Sequence, residues 1–382
     1  MSPGVSNLTA EKPATERIPF NDLSFQWRQV REKTTPDIGD LFEKSAFCLG
    51  PYVDAFERSM ADYLGVGHAI GVNSGTSALH LAMIAANIGP GDKVLVPSFT
   101  FIATAWAPLY VGAIPVLCDV DEESATIDLD DAERRLDGAV KAIIPVHLYG
   151  QPANMDAVMK FAARHDLVVV EDAAQAVGAR YGSRHVGGIG KLGCFSFYPG
   201  KNLGAAGEGG LVTTNDAAMA HRIRALRNHG QEERYIHAEV GYNYRMEGLQ
   251  GLVLNHKLPL VDGWTATRRK LADCYDLGLA GLPLKLPKIV NDDHVYHLYV
   301  VRAAERDRLR DYLQKHGIET GLHYPVPLHR QPCLAHLSHG PNGYPVTERY
   351  AKECLSLPLF VGMTEAQVER VCDVIRHFFG QA

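Results

Sequence analysis

A lysine in a glycine-rich turn is the residue of this sequence best suited to covalent chemistry. Lys201 lies within CFSFYPGKNLGAAGEGG (194–210), between two apolar, strand-like runs. A lysine amine held beside a sheet can have its pKa lowered and form an imine with a carbonyl group. Glycines around it let the backbone approach a flat ligand closely. Taken alone, a surface lysine in a flexible loop is the commoner interpretation of such a pattern.

Two further patterns supply a carboxylate and an anion site. Asp172 ends the apolar run VVVED (168–172), with Gln175 three residues on, and ligands of open α/β sheets bind at the carboxyl ends of strands. Ser74-Gly75-Thr76-Ser77 precedes a helical segment, and free N–H groups at a helix N-terminus bind anions. The commoner alternatives are that Asp172 caps a helix beginning at Ala173 and that 74–77 is an ordinary Ser/Thr N-cap.

The three patterns together predict one kind of chemistry. An imine-forming lysine, an acidic partner for a pyridinium nitrogen and a phosphate site at a helix terminus are what a pyridoxal phosphate (PLP) enzyme needs from its protein. The acid would keep the ring nitrogen protonated. The phosphate site would hold the cofactor while the lysine is released from it during transamination.

These residues must be positioned by a sheet, and the sequence between about 68 and 230 predicts one. Short β-branched runs alternate there with Ala- and Leu-rich helical segments such as 76–87 and 155–165. Continuous apolar runs indicate strands buried on both faces, and their alternation with helices indicates a mostly parallel sheet. The predicted strands are 68–73, 93–98, 114–120, 141–150, 167–173, 193–198 and 209–214.

The last third of the chain predicts a smaller α+β domain. We expect a helical stretch over 249–280, a strand over 294–302 and a helix over 304–316. A closing helix follows, in which Thr364 and Gln367 have the spacing of a capping box. The expected organisation is a flexible N-terminal segment 1–17, a large PLP-binding domain 18–255 and a small domain 256–382, with roughly the first 40 residues of the large domain packing against the small one.

Composition restricts the partners. The net charge is −6, which argues against nucleic acid as the main partner, and no apolar run approaches the roughly 20 residues of a membrane span. The N-terminus lacks the apolar region of a secretion signal. The seven scattered cysteines predict neither disulfides nor a zinc site. A cytoplasmic location is therefore expected.

Three other patterns could suggest a binding site, but none of them predicts one. Residues 188–193 fit G-x-G-x-x-G, but a dinucleotide fingerprint needs a helix after it, and a strand-like run follows here. The segment with His323, His329, Cys333 and His336 matches no common zinc spacing, so no metal site is predicted. The basic cluster 268–270 is expected at the surface.

With these motifs in place, the sequence resembles the DegT/DnrJ/EryC1/StrS sugar aminotransferases. The likeness covers roughly 18–379, nearly the whole chain. It rests on LGPYVDAFE (49–57), NSGTSAL (73–79), PSFTFIATA (97–105), HLYGQPANMD (147–156), EDAAQAVGA (171–179), FSFYPGKNLGAAGEGG (195–210), RNHGQ (227–231), GYNYRMEGLQ (241–250) and GLHYPVPLHRQP (321–332). It implies an aspartate-aminotransferase-like (fold type I) three-layer sandwich with a mostly parallel central sheet, plus a smaller α+β C-terminal domain.

The resemblance also implies residue roles. Lys201 would bind PLP as an imine and move the proton during transamination, and pyridoxamine phosphate would be the intermediate cofactor form. Family members with His at this position catalyse dehydration instead, so Lys201 favours amino transfer. Asp172 would pair with the ring nitrogen of PLP, Gln175 would hydrogen-bond its phenolic oxygen, and Phe101 would stack on its ring. Gly75, Thr76 and Ser196 would hold the phosphate, and Asn243 would reach the phosphate bound in the neighbouring subunit. Contacts with the nucleotide sugar are implied for Arg245, His323 and Tyr324.

The implied function is amino transfer from glutamate to a nucleotide-linked keto sugar, with a dTDP-linked 3-keto-6-deoxyhexose favoured. The implied assembly is a homodimer with shared active sites. Two alternatives stay open. One is a PLP aminotransferase with another 3- or 4-keto sugar or a keto-cyclitol as acceptor. The other is a non-catalytic regulator that binds PLP or a nucleotide sugar.

Overall fold

The computed structural model describes residues 17–290, 293–337 and 343–380. The predicted flexible segment 1–17 therefore lies outside the described residues, apart from Arg17. The helices of the described part are, in chain order, α1 (Ser24–Glu43), α2 (Pro51–Leu64), α3 (Gly75–Ala85), α4 (Ala103–Tyr110), α5 (Leu129–Arg134), α6 (Met155–His165), α7 (Ala217–Leu226), α8 (Gly248–Lys257), α9 (Val261–Leu279), α10 (Arg306–Lys315), α11 (Pro345–Glu353) and α12 (Glu365–Phe378).

The strands confirm the predicted alternation with helices. They are β1 (His68–Val72), β2 (Lys93–Pro97), β3 (Ile114–Cys118), β4 (Val140–Ile143), β5 (Val168–Asp172), β6 (Arg180–Tyr181), β7 (Arg184–His185), β8 (Leu192–Ser196), β9 (Gly210–Thr214), β10 (Gln231–Glu233), β11 (Ile236–His237), β12 (Tyr299–Arg302) and β13 (Cys354–Leu357). Short 3₁₀ turns lie at Leu148–Gly150, Leu258–Leu260, Leu328–Arg330 and Pro332–Leu334.

Seven of these strands form the central sheet, in the order β1-β9-β8-β5-β4-β2-β3. Strand β9 runs antiparallel to both of its neighbours, whereas β8, β5, β4, β2 and β3 pair in parallel. The mostly parallel sheet is thus confirmed. Its strands place their carboxyl ends along one edge, where ligands of such sheets bind.

Both faces of the sheet are buried, as the continuous apolar runs predicted. Val169 belongs to a core that includes residues of α2 and α6, and the next residue, Val170, belongs to a second core that includes residues of α3, α4 and α7. Side chains alternate between the faces of a strand, so each central strand serves both cores. Helices on either side of one sheet make three layers.

The C-terminal third has its own core, formed by residues of α9, α10, β12, β13 and α12 together with Ile18. Helix α12 begins with the predicted capping box between Thr364 and Gln367. The helical stretch expected over 249–280 is confirmed, but it consists of two helices, because α8 ends at Lys257 and α9 starts at Val261. Pro259 lies in the 3₁₀ turn between them, where its missing N–H interrupts the helical hydrogen bonds.

The surface position expected for the basic cluster 268–270 is wrong for its first member. Arg268 is 2% exposed and donates to the carbonyl oxygens of Tyr296 and Leu359, at 3.1 and 2.9 Å. Helix periodicity turns Arg268 toward the core while Lys270 stays at the surface. The sequence cluster is therefore not one patch of positive charge.

The N-terminal residues contact both parts of the chain. Ile18 packs in the C-terminal core and pairs with Ile318, whereas α1 packs against α8. The division at 255/256 remains a prediction. In the part of the chain that the structure describes, no helix has both the length and the apolar character to span a membrane, and all seven cysteines are free thiols.

Candidate functional site

The predicted lysine, carboxylate and anion site meet at the carboxyl edge of the central sheet. Asp172 ends β5 and Ser196 ends β8, and the two strands are adjacent and parallel, with Asp172 opposite Cys194. The Ser196 side chain lies beside the first residue of α3, Gly75. Parallel pairing thus brings together residues that are far apart in the sequence.

Asp172 is a buried carboxyl with few protein partners. One of its oxygens accepts a hydrogen bond from the Thr104 hydroxyl at 2.8 Å, and the other accepts from the Ala174 N–H at 3.1 Å. Burial raises the pKa of Asp172 above its usual range, although these bonds and the nearby Lys201 oppose the shift. No helix begins at Ala173, so the helix-cap alternative for Asp172 is wrong.

Lys201 lies in a tight turn in which its N–H donates to the Tyr198 carbonyl oxygen at 2.8 Å. Its side chain is half-buried, so the surface-lysine alternative is wrong. Burial lowers the pKa of the Lys201 amine to about 8, although the Asp172 carboxylate acts in the opposite direction. Within the described residues its amine makes no hydrogen bond, which leaves it available to a ligand.

The N-terminus of α3 combines both interpretations of its sequence. The Ser74 side chain caps the helix by accepting from the Ser77 N–H at 3.1 Å, as in an ordinary N-cap. The N–H groups of Gly75 and Thr76 have no hydrogen-bond partner among the described residues. A Cβ at Gly75 would lie 2.7 Å from the Ser196 Cβ, so only glycine lets the helix approach the end of β8. The two free N–H groups of Gly75 and Thr76, together with the hydroxyls of Thr76 and Ser196, suit a phosphate.

Gln175 connects the sheet edge to the C-terminal part of the chain. Its side-chain oxygen accepts from the Tyr149 N–H at 2.6 Å, and its amide nitrogen donates to the Tyr324 hydroxyl at 3.0 Å. The Tyr149 hydroxyl in turn donates to the His323 carbonyl oxygen. Gln175, Tyr149 and Tyr324, which come from three separate segments, are thus held together beside Asp172.

Aromatic rings cluster beside Gln175. Phe101 is 52% exposed, and its ring centroid lies 5.8 Å from that of Tyr324. The His323 ring stacks on Phe20 and hydrogen-bonds the Ser356 hydroxyl through Nδ1 at 2.8 Å. Burial, together with the charge of Lys201, lowers the pKa of His323 to about 4, so this ring is neutral at physiological pH.

Asn243 and Arg245 lie next to this cluster but outside it. The segment pairs with Asn228 and with Val72 at the end of β1, and the Arg245 guanidinium donates to the Asn228 side-chain oxygen at 2.9 Å. Asn243 is exposed, and its side chain contacts none of the candidate cofactor residues in the described part of the chain. Its predicted partner is the other subunit, and that role remains a prediction.

The loop with G-x-G-x-x-G spacing has a different role in the structure. The loop 186–191 wraps the buried carboxylate of Glu171, which accepts from the N–H groups of Gly187, Ile189 and Gly190 at 2.8, 2.7 and 2.6 Å. Strand β8 follows the loop, so G-x-G-x-x-G serves here to enclose a carboxylate and not to bind a dinucleotide. No group of three or more potential metal ligands occurs among the described residues.

Sequence reasoning missed the residues that support the cluster from behind. Thr104 and Tyr149 lie within motifs that the sequence comparison singled out, but nothing in their spacing predicts contacts with Asp172 and Gln175. His147 was also missed: its Nδ1 accepts from the Ala153 N–H at 3.0 Å, and its Nε2 lies 3.1 Å from Glu171. The ring proton therefore lies on Nε2, and the neutral imidazole donates to the Glu171 carboxylate.

These residues fit PLP. A desolvated lysine without a protein hydrogen bond suits imine formation, and a buried carboxyl that accepts two hydrogen bonds from the described residues has room to pair with a protonated ring nitrogen. The close approach of Gly75 to Ser196 builds a donor set for the phosphate. A mostly parallel sheet with these groups at its carboxyl edge, covered by helices on both faces, defines the class of fold type I PLP-dependent aminotransferases.

The chain belongs to the DegT/DnrJ/EryC1/StrS aminotransferase family, whose model matches residues 28–376. It is 43% identical to the dTDP-3-amino-3,4,6-trideoxy-alpha-D-glucose transaminase of Streptomyces venezuelae, over 97% of this chain and 98% of that protein. It is also 43% identical to the UDP-N-acetyl-3-dehydro-alpha-D-glucosamine 3-aminotransferase of Acidithiobacillus ferrooxidans, over 94% and 97%. A relative from Geobacillus stearothermophilus, 42% identical over 94% and 99%, is named a pleiotropic regulatory protein.

The fold is shared with a solved structure of this family. The Streptomyces venezuelae protein DesV, in complex with a ketimine intermediate, superimposes with a TM-score of 0.93 at 42% sequence identity, covering 96% of this chain and all of that one. The predicted fold class is therefore confirmed. A solved structure of NtdA from Bacillus subtilis, 28% identical with a TM-score of 0.89 over 97% of this chain and 87% of that one, holds pyridoxamine phosphate as its cofactor.

Proposed function

We propose that this protein transfers the amino group of glutamate to a nucleotide-linked keto sugar, with a dTDP-linked 3-keto-6-deoxyhexose as the favoured acceptor. The observation that carries the proposal is the meeting of Lys201, Asp172 and the α3 N-terminus at one sheet edge. The substrate class is supported by the two relatives named for 3-amino or 3-dehydro nucleotide sugars.

The cofactor would be held at both ends. We assign the phosphate to the N–H groups of Gly75 and Thr76 and to Ser196, because these donors have capacity left after the helix is capped. Asp172 would face the pyridine nitrogen, Gln175 the phenolic oxygen, and Phe101 the ring face. When bound, PLP supplies an electron sink for the carbon that loses a proton.

Lys201 is assigned the proton transfers. With a pKa of about 8, about a tenth of the amine is neutral at pH 7, against far less than one per cent for an ordinary lysine. An amine with a pKa near the operating pH can both remove and return a proton. The Asp172 carboxylate helps by keeping the cationic form of Lys201 accessible, since it raises the lysine pKa against the effect of burial.

The acceptor would enter over Tyr324, His323 and Arg245. The Tyr324 hydroxyl is oriented by Gln175 and the His323 ring by Ser356, so both present fixed polar groups at the candidate site. We further propose a homodimer in which Asn243 reaches the phosphate of the neighbouring subunit, since this residue is exposed and lies two positions before Arg245, which pairs with Val72 at the end of β1. A monomer with full activity, observed by analytical ultracentrifugation and assay, would contradict the shared site.

The function is tested by incubating the PLP-loaded protein with glutamate and one acceptor at a time. The acceptors are a dTDP-linked 3-keto sugar, a UDP-linked 3-keto sugar, a 4-keto sugar and a keto-cyclitol. We expect 2-oxoglutarate and an amino sugar, quantified by mass spectrometry, with the highest kcat/KM for the dTDP compound. Another preferred acceptor would correct the substrate. A protein that binds PLP and stays yellow with glutamate would support the regulator alternative.

A further inference from the structure

A second buried lysine lies behind the cofactor site and has no part in the function proposed above. Lys257 is the last residue of α8 and is 7% exposed. We infer that Lys257 and Gln26 form a positioning pair that fixes the backbone of the turn carrying Lys201. The inference deepens the proposed function and rests on the assignment of Lys201 as the reactive amine.

The first link of the pair is made by the lysine. The Lys257 ammonium donates to the Gly204 carbonyl oxygen at 2.7 Å and to the side-chain oxygen of Gln26 at 3.3 Å. Gly204 lies three residues after Lys201, at a position where the backbone is tightly packed, since a Cβ there would lie 2.2 Å from the Pro199 carbonyl oxygen. A displacement of the Gly204 backbone would therefore displace the Pro199 backbone too, which precedes Lys201 in the same turn.

The second link is made by the glutamine. Gln26 comes from α1 and is 3% exposed, and its amide nitrogen lies 3.4 Å from the carbonyl oxygen of Asn202, to which it donates. The Asn202 side chain donates to the Val295 carbonyl oxygen at 2.9 Å. The residue after Lys201 is thus fixed from α1 on one side and from the segment before β12 on the other.

Burial of the Lys257 ammonium makes its polar partners necessary. A buried cation is costly unless polar groups surround it, and burial lowers the pKa of Lys257 to about 8. Its ammonium is a strong donor to the Gly204 carbonyl group, which would otherwise be buried without a hydrogen-bond partner. A misplacement of a reacting group by about 1 Å can lower a rate by roughly 10²-fold. The pair therefore acts on the rate through the position of Lys201.

The test replaces each member of the pair by an apolar side chain of similar length. For Lys257→Met and Gln26→Leu we expect kcat to fall by roughly 10- to 100-fold, while KM for glutamate changes less than about threefold, because neither residue touches the substrate. The matched control is Gln29→Leu. Gln29 lies on the same helix and accepts from the Trp264 indole N–H at 2.6 Å, remote from the turn, so kcat should stay near the wild-type value.

Two readouts do not depend on turnover. The visible absorbance that PLP gains on condensing with Lys201 should form with lower yield in Lys257→Met and Gln26→Leu. Hydrogen exchange of the Lys201 and Ala205 amides, which donate to Tyr198 and Phe197, should be faster in the same two variants only. These measurements need no sugar, so the pair is tested even if the acceptor proposed above is wrong.

The inference is overturned if both variants keep wild-type kcat, absorbance yield and amide exchange. It is also overturned if Gln29→Leu shows the same losses, because the effect would then reflect the docking of α1 as a whole. If Lys257→Met does not fold, the comparison of Gln26→Leu with Gln29→Leu decides. Loss of thermal stability with unchanged kcat would assign the pair a structural role only.

Discussion

Lys201 and Lys257 occupy two regions of the molecule that look alike by charge but differ in surroundings. Burial lowers the pKa of both amines to about 8. Lys257 donates to a backbone carbonyl and a glutamine in the contact between α1, α8 and the glycine-rich turn. Lys201 has no hydrogen-bonded partner among the described residues, and the nearby Asp172 carboxylate is its counter-charge.

A depressed pKa does not by itself identify a reactive lysine. Desolvation acts on any amine that leaves water, so it occurs at structural and reactive positions alike. What distinguishes the two is hydrogen bonding: a lysine whose donors are used by the protein is held in place, whereas one with free donors beside a carboxylate is available for chemistry.

The largest effect is expected for Lys201→Ala, because this variant removes the amine to which we assign both imine formation and proton transfer. Turnover should fall by at least about 10³-fold, and added PLP should show no visible absorbance of a lysine imine. In Lys257→Met, by contrast, part of that absorbance should remain because Lys201 is intact. Absorbance spectra and coupled assays of both variants check the prediction, and a Lys201→Ala protein within tenfold of wild type would break the comparison.

A smaller loss is expected for Asp172→Asn, which removes the counter-charge that Lys257 lacks. We expect kcat to fall on the order of 10²- to 10³-fold, because a charge aimed at the reacting system is lost. Thr104→Val is the graded control, since it removes one hydrogen bond to the carboxylate and keeps the charge. Its loss should be about tenfold, and equal losses in steady-state assays of the two variants would contradict the assignment.

The smallest effect concerns pH. Only the neutral amine of Lys201 attacks PLP, so the rate of PLP uptake by the apoprotein should rise about tenfold per pH unit below pH 8 and level off above it. Stopped-flow absorbance gives the midpoint. In Asp172→Asn the midpoint should move to lower pH, because the carboxylate raises the pKa of Lys201. In Lys257→Met it should stay, and a wild-type midpoint near 10.5 would contradict the lowered pKa.

Much of the site could be predicted because its residues follow local rules. Asp172 ends a strand, Lys201 lies in a glycine-rich turn, and the segment 74–77 begins a helix. Each pattern is short, and parallel β5 and β8 bring them to one edge. Together the three patterns predicted PLP chemistry, the family resemblance agreed with it, and the family model that matches this chain confirms an aminotransferase family.

The supporting contacts could not be predicted, because they join residues that are distant in the sequence. Thr104 meets Asp172 across 68 positions, and Lys257 meets Gln26 across 231. Arg268 was expected at the surface because basic clusters usually lie there, and only the packing of α9 shows it buried. The break between α8 and α9 was missed because the apolar pattern continues through Pro259.

The amino-acid sequence was enough to predict the mostly parallel sheet and PLP chemistry at its edge, since strand periodicity, glycine turns and helix starts are properties of neighbouring residues. Lys201 was predicted as the reactive amine, but only the tertiary structure shows that Lys257 is buried as well and that its donors are used by the protein. Both are single lysines in the sequence, and both lose water on folding. Only the packing of α1 and α8 behind the glycine-rich turn gives the donors of Lys257 their partners and leaves those of Lys201 free.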